Sequence, residues 1–198
     1  APDEDFWGAE RQLESVTRRF VEGYAPGDSQ AIVYPRGTGV KIPQGYGLSM
    51  QFHYVTNGQA TVDKTRLGLY FSDDPALTEI LSQVVSPRFV LPPNQREFAM
   101  QAQHLFEEAV VIIGVRARMS YRGKKMKFTV EQADGSLRDI FSVPAYNYGW
   151  QPHYLLQTAV VLPAGSRVHV IGAFDNSSSN PSNPDPAKEV RFGVESWD

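Results

Sequence analysis

The stretch Lys125-Met126-Lys127-Phe128-Thr129-Val130, with the Asp134-Gly135 dipeptide that follows it, decides the fold class. Within 125–130, apolar side chains alternate with lysine and threonine, which is the period of a β-strand with one buried face. Asp-Gly directly after such a strand favours a tight hairpin turn, because glycine tolerates the positive φ that the turn requires. This part of the chain therefore predicts an antiparallel hairpin.

The same pattern recurs on both sides of this hairpin. Ala109–Val115 is apolar throughout and predicts a central strand with both faces buried. Pro75–Leu81 interrupts the series and fits either a short helix or an irregular excursion. Eight or nine short strands separated by turns indicate an all-β, antiparallel, jelly-roll-like β-sandwich. The predicted strands cover residues 48–54, 67–71, 98–102, 109–115, 126–130, 137–143, 154–161, 167–174 and 188–194.

Residues 1–24 carry a different pattern. Over 6–22 the apolar side chains fall on one helical face, which predicts an amphipathic helix. Such a helix packs either on a neighbouring domain or on another subunit, and its candidate interface residues are Phe6, Trp7, Leu13, Val16 and Phe20. Residues 25–47 are rich in proline and glycine and predict an extended linker, so that the sandwich covers 48–198.

Composition excludes several classes of function. The chain has 198 residues, 41% of them hydrophobic, which is enough for a sizeable core. Its formal net charge is -3, so it lacks the basic excess expected of a general nucleic-acid binder. No apolar run approaches the roughly 20 residues of a membrane-spanning helix. The absence of cysteine excludes disulfides, thiolate metal sites and cysteine nucleophiles.

An ordered set of phrases between about residues 24 and 198 resembles one family. The chain is similar to the C-terminal domain of the copper type II, ascorbate-dependent monooxygenases, the superfamily of peptidylglycine α-hydroxylating monooxygenase and dopamine β-monooxygenase, and specifically to its bacterial-type members. The matching phrases are Gly45–Tyr54, Asp63, Leu67–Phe71, Arg122–Lys124, Asp134-Gly135, Val143–Tyr146, Gly149–Gln151, Tyr154, Leu162–Gly165, Asp175–Ser177, Asn180-Pro181, Asn183–Pro186, Phe192-Gly193 and Trp197-Asp198.

This resemblance implies a β-sandwich from an enzyme that holds one copper in each of two domains. One family ligand position is retained, at His53. The His-x-His pair of the second copper maps onto Arg118 and Ser120, and its methionine maps beyond Asp198. Arginine and serine cannot replace neutral imidazoles on copper. We therefore expect no cofactor, with copper binding only if a partner or further segments supply more ligands.

Basic residues form one cluster in an otherwise acidic chain. If the strand at 109–115 continues, the even-numbered residues Arg116, Arg118, Arg122 and Lys124 share one face. That face is a solvated strand end, a docking surface for an acidic partner or a lipid headgroup, or part of an active site. His104, His153 and His169 match no ligand position of the family.

The stretch 175–186 is built from asparagine, serine, aspartate and proline. Its simplest interpretation is a loop held by Asx turns and stiffened by proline. The alternative is a calcium site, because Asp and Asn oxygens suit that ion. Asn176-Ser177-Ser178 also fits an N-glycosylation sequon.

These observations lead to a functional expectation with two alternatives. We expect a non-catalytic structural or interaction module that serves as an accessory subunit of a larger exported or membrane-associated complex. An electron-transfer complex is one example of such a host. The first alternative is a fragment of a copper monooxygenase in which His53 supplies one ligand. The second is a domain that binds a small ligand or a glycan. The resemblance implies a periplasmic or extracellular location and other protein subunits as partners.

Overall fold

The computed structural model describes residues 20–28, 31–55, 57–132 and 134–191, and in those ranges the chain is all-β, with no helix. This confirms the predicted fold class. Most of the predicted helix, including Phe6, Trp7, Leu13 and Val16, lies outside the described residues. Phe20 is described, and about half of its surface is exposed. The chain forms two compact units, one from Ala1–Gly23 and Ile32–Gln83 and the other from Tyr24–Ala31 and Val84–Asp198.

The first unit contains little regular structure. Its two strands, β1 (Thr38–Gly39) and β2 (Thr78–Glu79), pair in parallel. Near its start, the Tyr34 hydroxyl donates a hydrogen bond to Glu22 Oε2 at 3.3 Å. Burial, followed by the negative charge of Glu22, raises the pKa of Tyr34 to about 12. The segment 75–81, which the sequence left open, is irregular apart from β2.

The strands predicted at 48–54 and 67–71 are absent from the described part of this unit. The period-two arrangement of side chains is nevertheless present, because the rings of Phe52 and Tyr54 stack at 6.0 Å with an interplanar angle of 11°. Alternation predicts an extended backbone and its two faces. It does not supply the neighbouring strand whose hydrogen bonds make a sheet, and no such neighbour lies within the described residues.

The second unit contains the remaining strands. They are β3 (Val90–Leu91), β4 (Phe98–Leu105), β5 (Val110–Val115), β6 (Gly123–Glu131), β7 (Leu137–Val143), β8 (Tyr154–Leu162), β9 (Arg167–Phe174) and β10 (Val190–Arg191). Four of them form an antiparallel sheet in the order β4-β9-β6-β7. Two two-stranded antiparallel sheets, β5-β8 and β10-β3, complete the unit.

Strands early in this unit pair with strands late in it, one inside the next: β3 with β10, β4 with β9 and β5 with β8. The register carries over from one sheet to the other, since Leu105 faces Arg167 and Val110 faces Leu162. The β4-β9 pair thus continues as the β5-β8 pair, and together they form one long double-stranded ribbon. This nested pairing is typical of jelly-roll wrapping.

The hairpin predicted from 125–130 and Asp134-Gly135 is the β6–β7 pair. Gly135 has a φ of +82°, and its N–H donates to the carbonyl of Gln132 at 2.9 Å. Residues with a Cβ rarely adopt this φ, so the glycine fixes where the chain reverses. Because β6 also pairs with β9, the hairpin adds two strands to the edge of the ribbon.

The core lies between the four-stranded sheet and the β5-β8 sheet. Val130 of β6 and Val168 of β9 contact Val160 and Leu162 of β8, and all four are buried. A second cluster around Leu91 and Met119 closes the end near β3 and β10. The prediction that 109–115 is buried on both faces was wrong, because β5 pairs only with β8 among the described strands and Val111 is 54% exposed.

Candidate functional site

The most constrained polar group in the second unit is Arg122. Its side chain is only 2% exposed, and its Nε donates to Asn176 Oδ1 at 2.8 Å. A guanidinium stays charged at any depth, so a buried one must be met by oxygen atoms. Arg122 therefore serves the interior of the fold and does not present its charge to a partner.

Asn176 extends this contact to two other segments. Its Nδ2 donates to the carbonyls of Pro92 at 2.8 Å and Lys188 at 2.9 Å, while its backbone N–H donates to Gln95 at 2.8 Å. Oδ1 also accepts from Asn183 Nδ2 at 3.1 Å. One fully buried amide thus ties the end of β9 to the segments before β4 and before β10.

Asx and Ser turns organise the 175–188 loop, as the sequence predicts. Successive side chains accept backbone N–H groups two residues on, for example Asp175 from Ser177 and Asn180 from Ser182. No cluster of three or more metal-ligating His, Cys, Asp or Glu side chains occurs in the described ranges. The calcium alternative, which rests on Asn as well as Asp oxygens, stays a prediction. Asn176 has no exposed surface and both of its amide hydrogens are donated, which makes a glycan on it incompatible with this fold.

The predicted basic face does not form, because β5 ends at Val115 and Ser120 turns the chain with a φ of +54°. Arg116 instead lies against Asp28, with 2.6 Å between Nη2 and Oδ2, and both side chains are largely buried. Asp28 also accepts the N–H groups of Ala25 and His153. The Arg116–Asp28 pair therefore attaches residues 25–28 to the second unit.

Lys124 is also engaged within the unit. Its Nζ lies 2.8 Å from Glu97 Oε2, and Lys125 Nζ lies 2.6 Å from Oε1 of the same carboxylate. The hydrogen bonds from Lys124 and Lys125 lower the pKa of Glu97 to about 2. Arg118 remains exposed, so the cluster offers far less free positive charge than its sequence suggests.

The positions that the resemblance assigns to copper are His53, Arg118 and Ser120. His53 is exposed and belongs to the first unit, whereas Arg118 and Ser120 belong to the second. Met119, between the latter two, is 2% exposed and fills the core near Leu91, whereas Arg118 is exposed. One imidazole, a guanidinium and a hydroxyl do not make a copper-ligand set, and the residues present do not fit the group.

The remaining histidines are engaged separately. His169 on β9 lies beside Glu131 on β6, with 2.6 Å between Nε2 and Oε2. His104 packs edge-on against Phe106, and the ring of His153 lies over Gly114. These contacts place each histidine in a different local environment, and none of them forms a shared metal site in the described ranges.

A shallow cleft opens beside the Arg122–Asn176 contact. Its volume is about 370 Å³, and it is bounded by the β5–β6 connection, the β7–β8 connection and the 175–188 loop. The residues that line it are Tyr121, Gly123, Ala145, Tyr146, Asn147, Tyr148, Asn180, Pro181 and Ser182. Apart from the tyrosine hydroxyls, none of these side chains is ionisable.

Two features fix the aromatic side of the cleft. The rings of Tyr121 and Tyr148 lie 4.0 Å apart at an angle of 31°. Tyr146 lies so close to Gly123 that a Cβ there would approach its ring to 2.5 Å, so this position must be glycine. The Tyr146 hydroxyl accepts the Met119 N–H at 3.1 Å. Burial raises the pKa of Tyr146 to about 12, despite the opposing effects of that hydrogen bond and of Arg118.

Sequence reasoning missed this cleft and the Arg122–Asn176 contact. The sequence pattern predicts that Arg122 belongs to a basic face and that Asn176 belongs to a solvated loop. The available signals were local: glycine beside arginine in Arg122-Gly123, and three tyrosines within Tyr146–Tyr154. None of them indicates that segments more than 50 residues apart meet at one place.

Comparisons with known proteins add no assignment: no protein-family model and no curated protein matches the chain. The resemblance to copper monooxygenases stays a prediction. The described residues contain no helix that is long and apolar enough to cross a bilayer.

Asn176→Ala should be strongly destabilising. It leaves the Arg122 guanidinium without its 2.8 Å acceptor and the carbonyls of Pro92 and Lys188 without their donor. We expect the free energy of unfolding to fall by about 3–5 kcal/mol in urea titrations. Ser178→Ala is the matched control, since Ser178 is exposed in the same loop, and it should change stability by less than about 0.5 kcal/mol. Equal effects of the two substitutions would contradict this assignment.

Tyr146 should make the fold sensitive to alkali. Its pKa is about 12 when folded and roughly 10 when unfolded, so the folded state holds the proton more tightly. That stabilisation is complete below about pH 10 and is lost as the pH rises towards 12. In urea titrations across this range, the free energy of unfolding should decline in the wild-type protein. The decline should be smaller in Tyr146→Phe, by at most about 2–3 kcal/mol. Parallel declines in both proteins would show that Tyr146 does not carry the effect.

Proposed function

We propose that this chain is a non-catalytic interaction module, an accessory subunit whose first unit is completed by another protein. The observation that carries the proposal is a run of exposed apolar side chains between residues 46 and 71. Their exposed fractions range from 42% at Leu69 to 94% at Tyr70. The run comprises Tyr46, Leu48, Met50, Phe52, Tyr54, Val55, Val62, Leu67, Leu69, Tyr70 and Phe71.

Such exposure is costly in water. Burying one large apolar side chain contributes roughly 1.5–3 kcal/mol, and large exposed apolar surfaces usually mark a site of association. Isolated exposed leucines need no explanation, but eleven such residues within one stretch of 26 do. A surface of this kind favours a partner that covers it.

The backbone of the run indicates how a partner would bind. Phe52 and Tyr54 already point to the same side, as they would on a strand, yet residues 48–54 have no strand beside them in the described chain. In β-augmentation, a strand of another chain pairs through backbone hydrogen bonds with an extended segment that has one apolar side. We therefore infer that the partner is a protein that pairs with this segment.

The second unit is consistent with a role without catalysis. Two of its buried polar residues, Arg122 and Asn176, bond to each other, and Asn176 also bonds to backbone carbonyls, which is a stabilising role. The resemblance to a copper monooxygenase domain, with Arg118 and Ser120 at ligand positions, points to the same kind of module. An exported or membrane-associated assembly is the setting that this resemblance implies.

Gln51→Pro tests the pairing directly. Proline removes one ladder N–H and favours an extended residue before it, so the apolar side chains of Met50 and Phe52 stay in place. The tagged full chain, purified from its native cells, should retain a partner protein at a fixed ratio. Gln51→Pro should reduce that ratio about tenfold or more, whereas Gln51→Ala, which keeps the N–H, should not.

Both variants should melt at the wild-type temperature, because residue 51 makes no ladder bond within the described chain. Recovery of the wild-type chain alone, or full retention of the partner by a folded Gln51→Pro protein, would overturn the proposal.

Metal titration distinguishes the interaction module from the alternative, a fragment of a copper monooxygenase. With one imidazole at the family positions, we expect calorimetry with Cu(I) and Cu(II) to give no stoichiometric binding tighter than about 1 µM. Arg118→His combined with Ser120→His should raise the affinity by at least about tenfold if the resemblance aligns these positions correctly. Tight wild-type binding that disappears in His53→Ala would favour the enzyme fragment instead.

A further inference from the structure

The cleft of about 370 Å³ beside the Arg122–Asn176 contact has the composition of a binding site for a neutral, hydroxyl-rich ligand. Its volume lies at the lower end of the roughly 300–1,000 Å³ that small-molecule sites occupy. It combines tyrosine rings with amide and hydroxyl groups, and it contains no carboxylate, ammonium or guanidinium among its lining side chains. No charged side chain of the lining can therefore pair with an anionic or a cationic ligand.

We propose that this cleft binds a saccharide, as a site independent of the protein-pairing segment at 46–71. The Tyr121 and Tyr148 rings, 4.0 Å apart at an angle of 31°, both line the cleft and offer aromatic surface to a ligand. The C–H face of a pyranose packs on such a ring, since the aromatic face carries partial negative charge and the sugar C–H groups carry partial positive charge.

The polar groups of the cleft suit hydroxyls. Tyrosine and serine hydroxyls both donate and accept, as a carboxamide does through its two ends. Asn147 uses Oδ1 to accept the Gly149 N–H at 2.8 Å, which orients its Nδ2 as a donor. Ser182, held by its N–H to Asn180 Oδ1 at 3.0 Å, places a hydroxyl on the opposite wall. A proline-rich peptide, the main competitor for a tyrosine-lined groove, offers acceptors but few donors.

The site is also preorganised. Asn180 Nδ2 donates to the Tyr121 carbonyl at 3.2 Å and to the Asp175 carbonyl at 3.0 Å, which joins the loop wall to the aromatic wall. Tyr146 is fixed by Gly123 and by its N–H donor, Met119. A rigid cleft loses little conformational entropy on binding, so even a shallow one can hold a sugar with a Kd on the order of 1 mM.

The test is an NMR titration of the full chain with methyl β-glucopyranoside, methyl N-acetyl-β-glucosaminide and cellobiose. We expect amide shifts confined to the connections 119–123 and 145–150 and to the 175–188 loop for at least one of them. Tyr148→Ala should weaken binding about tenfold or more, because it removes a stacking ring. Asn147→Asp, which keeps the acceptor for Gly149 but loses the donor, should weaken it several-fold.

Tyr24→Ala is the matched control, as an exposed tyrosine of the same unit outside the cleft, and it should bind like wild type. The melting temperature of each variant establishes that it is folded. No shifts at about 50 mM sugar, equal shifts with glycerol, or saturable binding of a proline-rich peptide with the sugars silent would each overturn the proposal. So would unchanged affinity in folded Tyr148→Ala and Asn147→Asp proteins.

Discussion

A buried guanidinium cannot lose its charge, and the second unit is arranged around that constraint. Arg122 lies just before β6, and its Nε finds Asn176 just after β9. Asn176 in turn saturates its own amide on backbone carbonyls from before β4 and before β10. Three connections that would otherwise be solvated loops are thereby held at one end of the sheets. Two of these connections, the β5–β6 connection and the 175–188 loop, also form walls of the cleft, and the β7–β8 connection forms its third wall.

Periodicity predicted the strands whose pairing partners lie in the same unit. Residues 137–143 and 167–174 form strands with the predicted bounds, and Asp134-Gly135 reverses the chain between β6 and β7. For these strands, local alternation and long-range pairing agree, so the local signal was sufficient. The nested register that pairs Leu105 with Arg167 was not predictable, because side-chain alternation is the same whichever strand lies alongside.

The polar site was harder to predict than the fold. Charge patterns are read from neighbours in sequence, and Arg116, Arg122 and Lys124 therefore looked like one basic face. Their partners, Asp28, Asn176 and Glu97, lie 27 to 88 residues away. Pairing across such separations is set by how the ribbon wraps, which composition does not encode. The asparagine-rich loop was predicted in its turns but not in its buried residue, because an Asx turn and a core amide use the same side chain.

The two units differ in whether the alternating segments predicted from the sequence pair into sheets. In the second unit the strands pair with one another, and Val130 and Val168 of the four-stranded sheet meet Val160 and Leu162 of the β5-β8 sheet. In the first, the alternation over 48–54 is as regular, yet the segment lies extended without a sheet, with Tyr54 bonded to Asp63 at 2.6 Å as its nearest anchor. An apolar alternating segment is stable in water only when something covers it. Within the described residues the apolar side chains of this segment stay exposed, and that exposure is the physical ground for the covering partner proposed above.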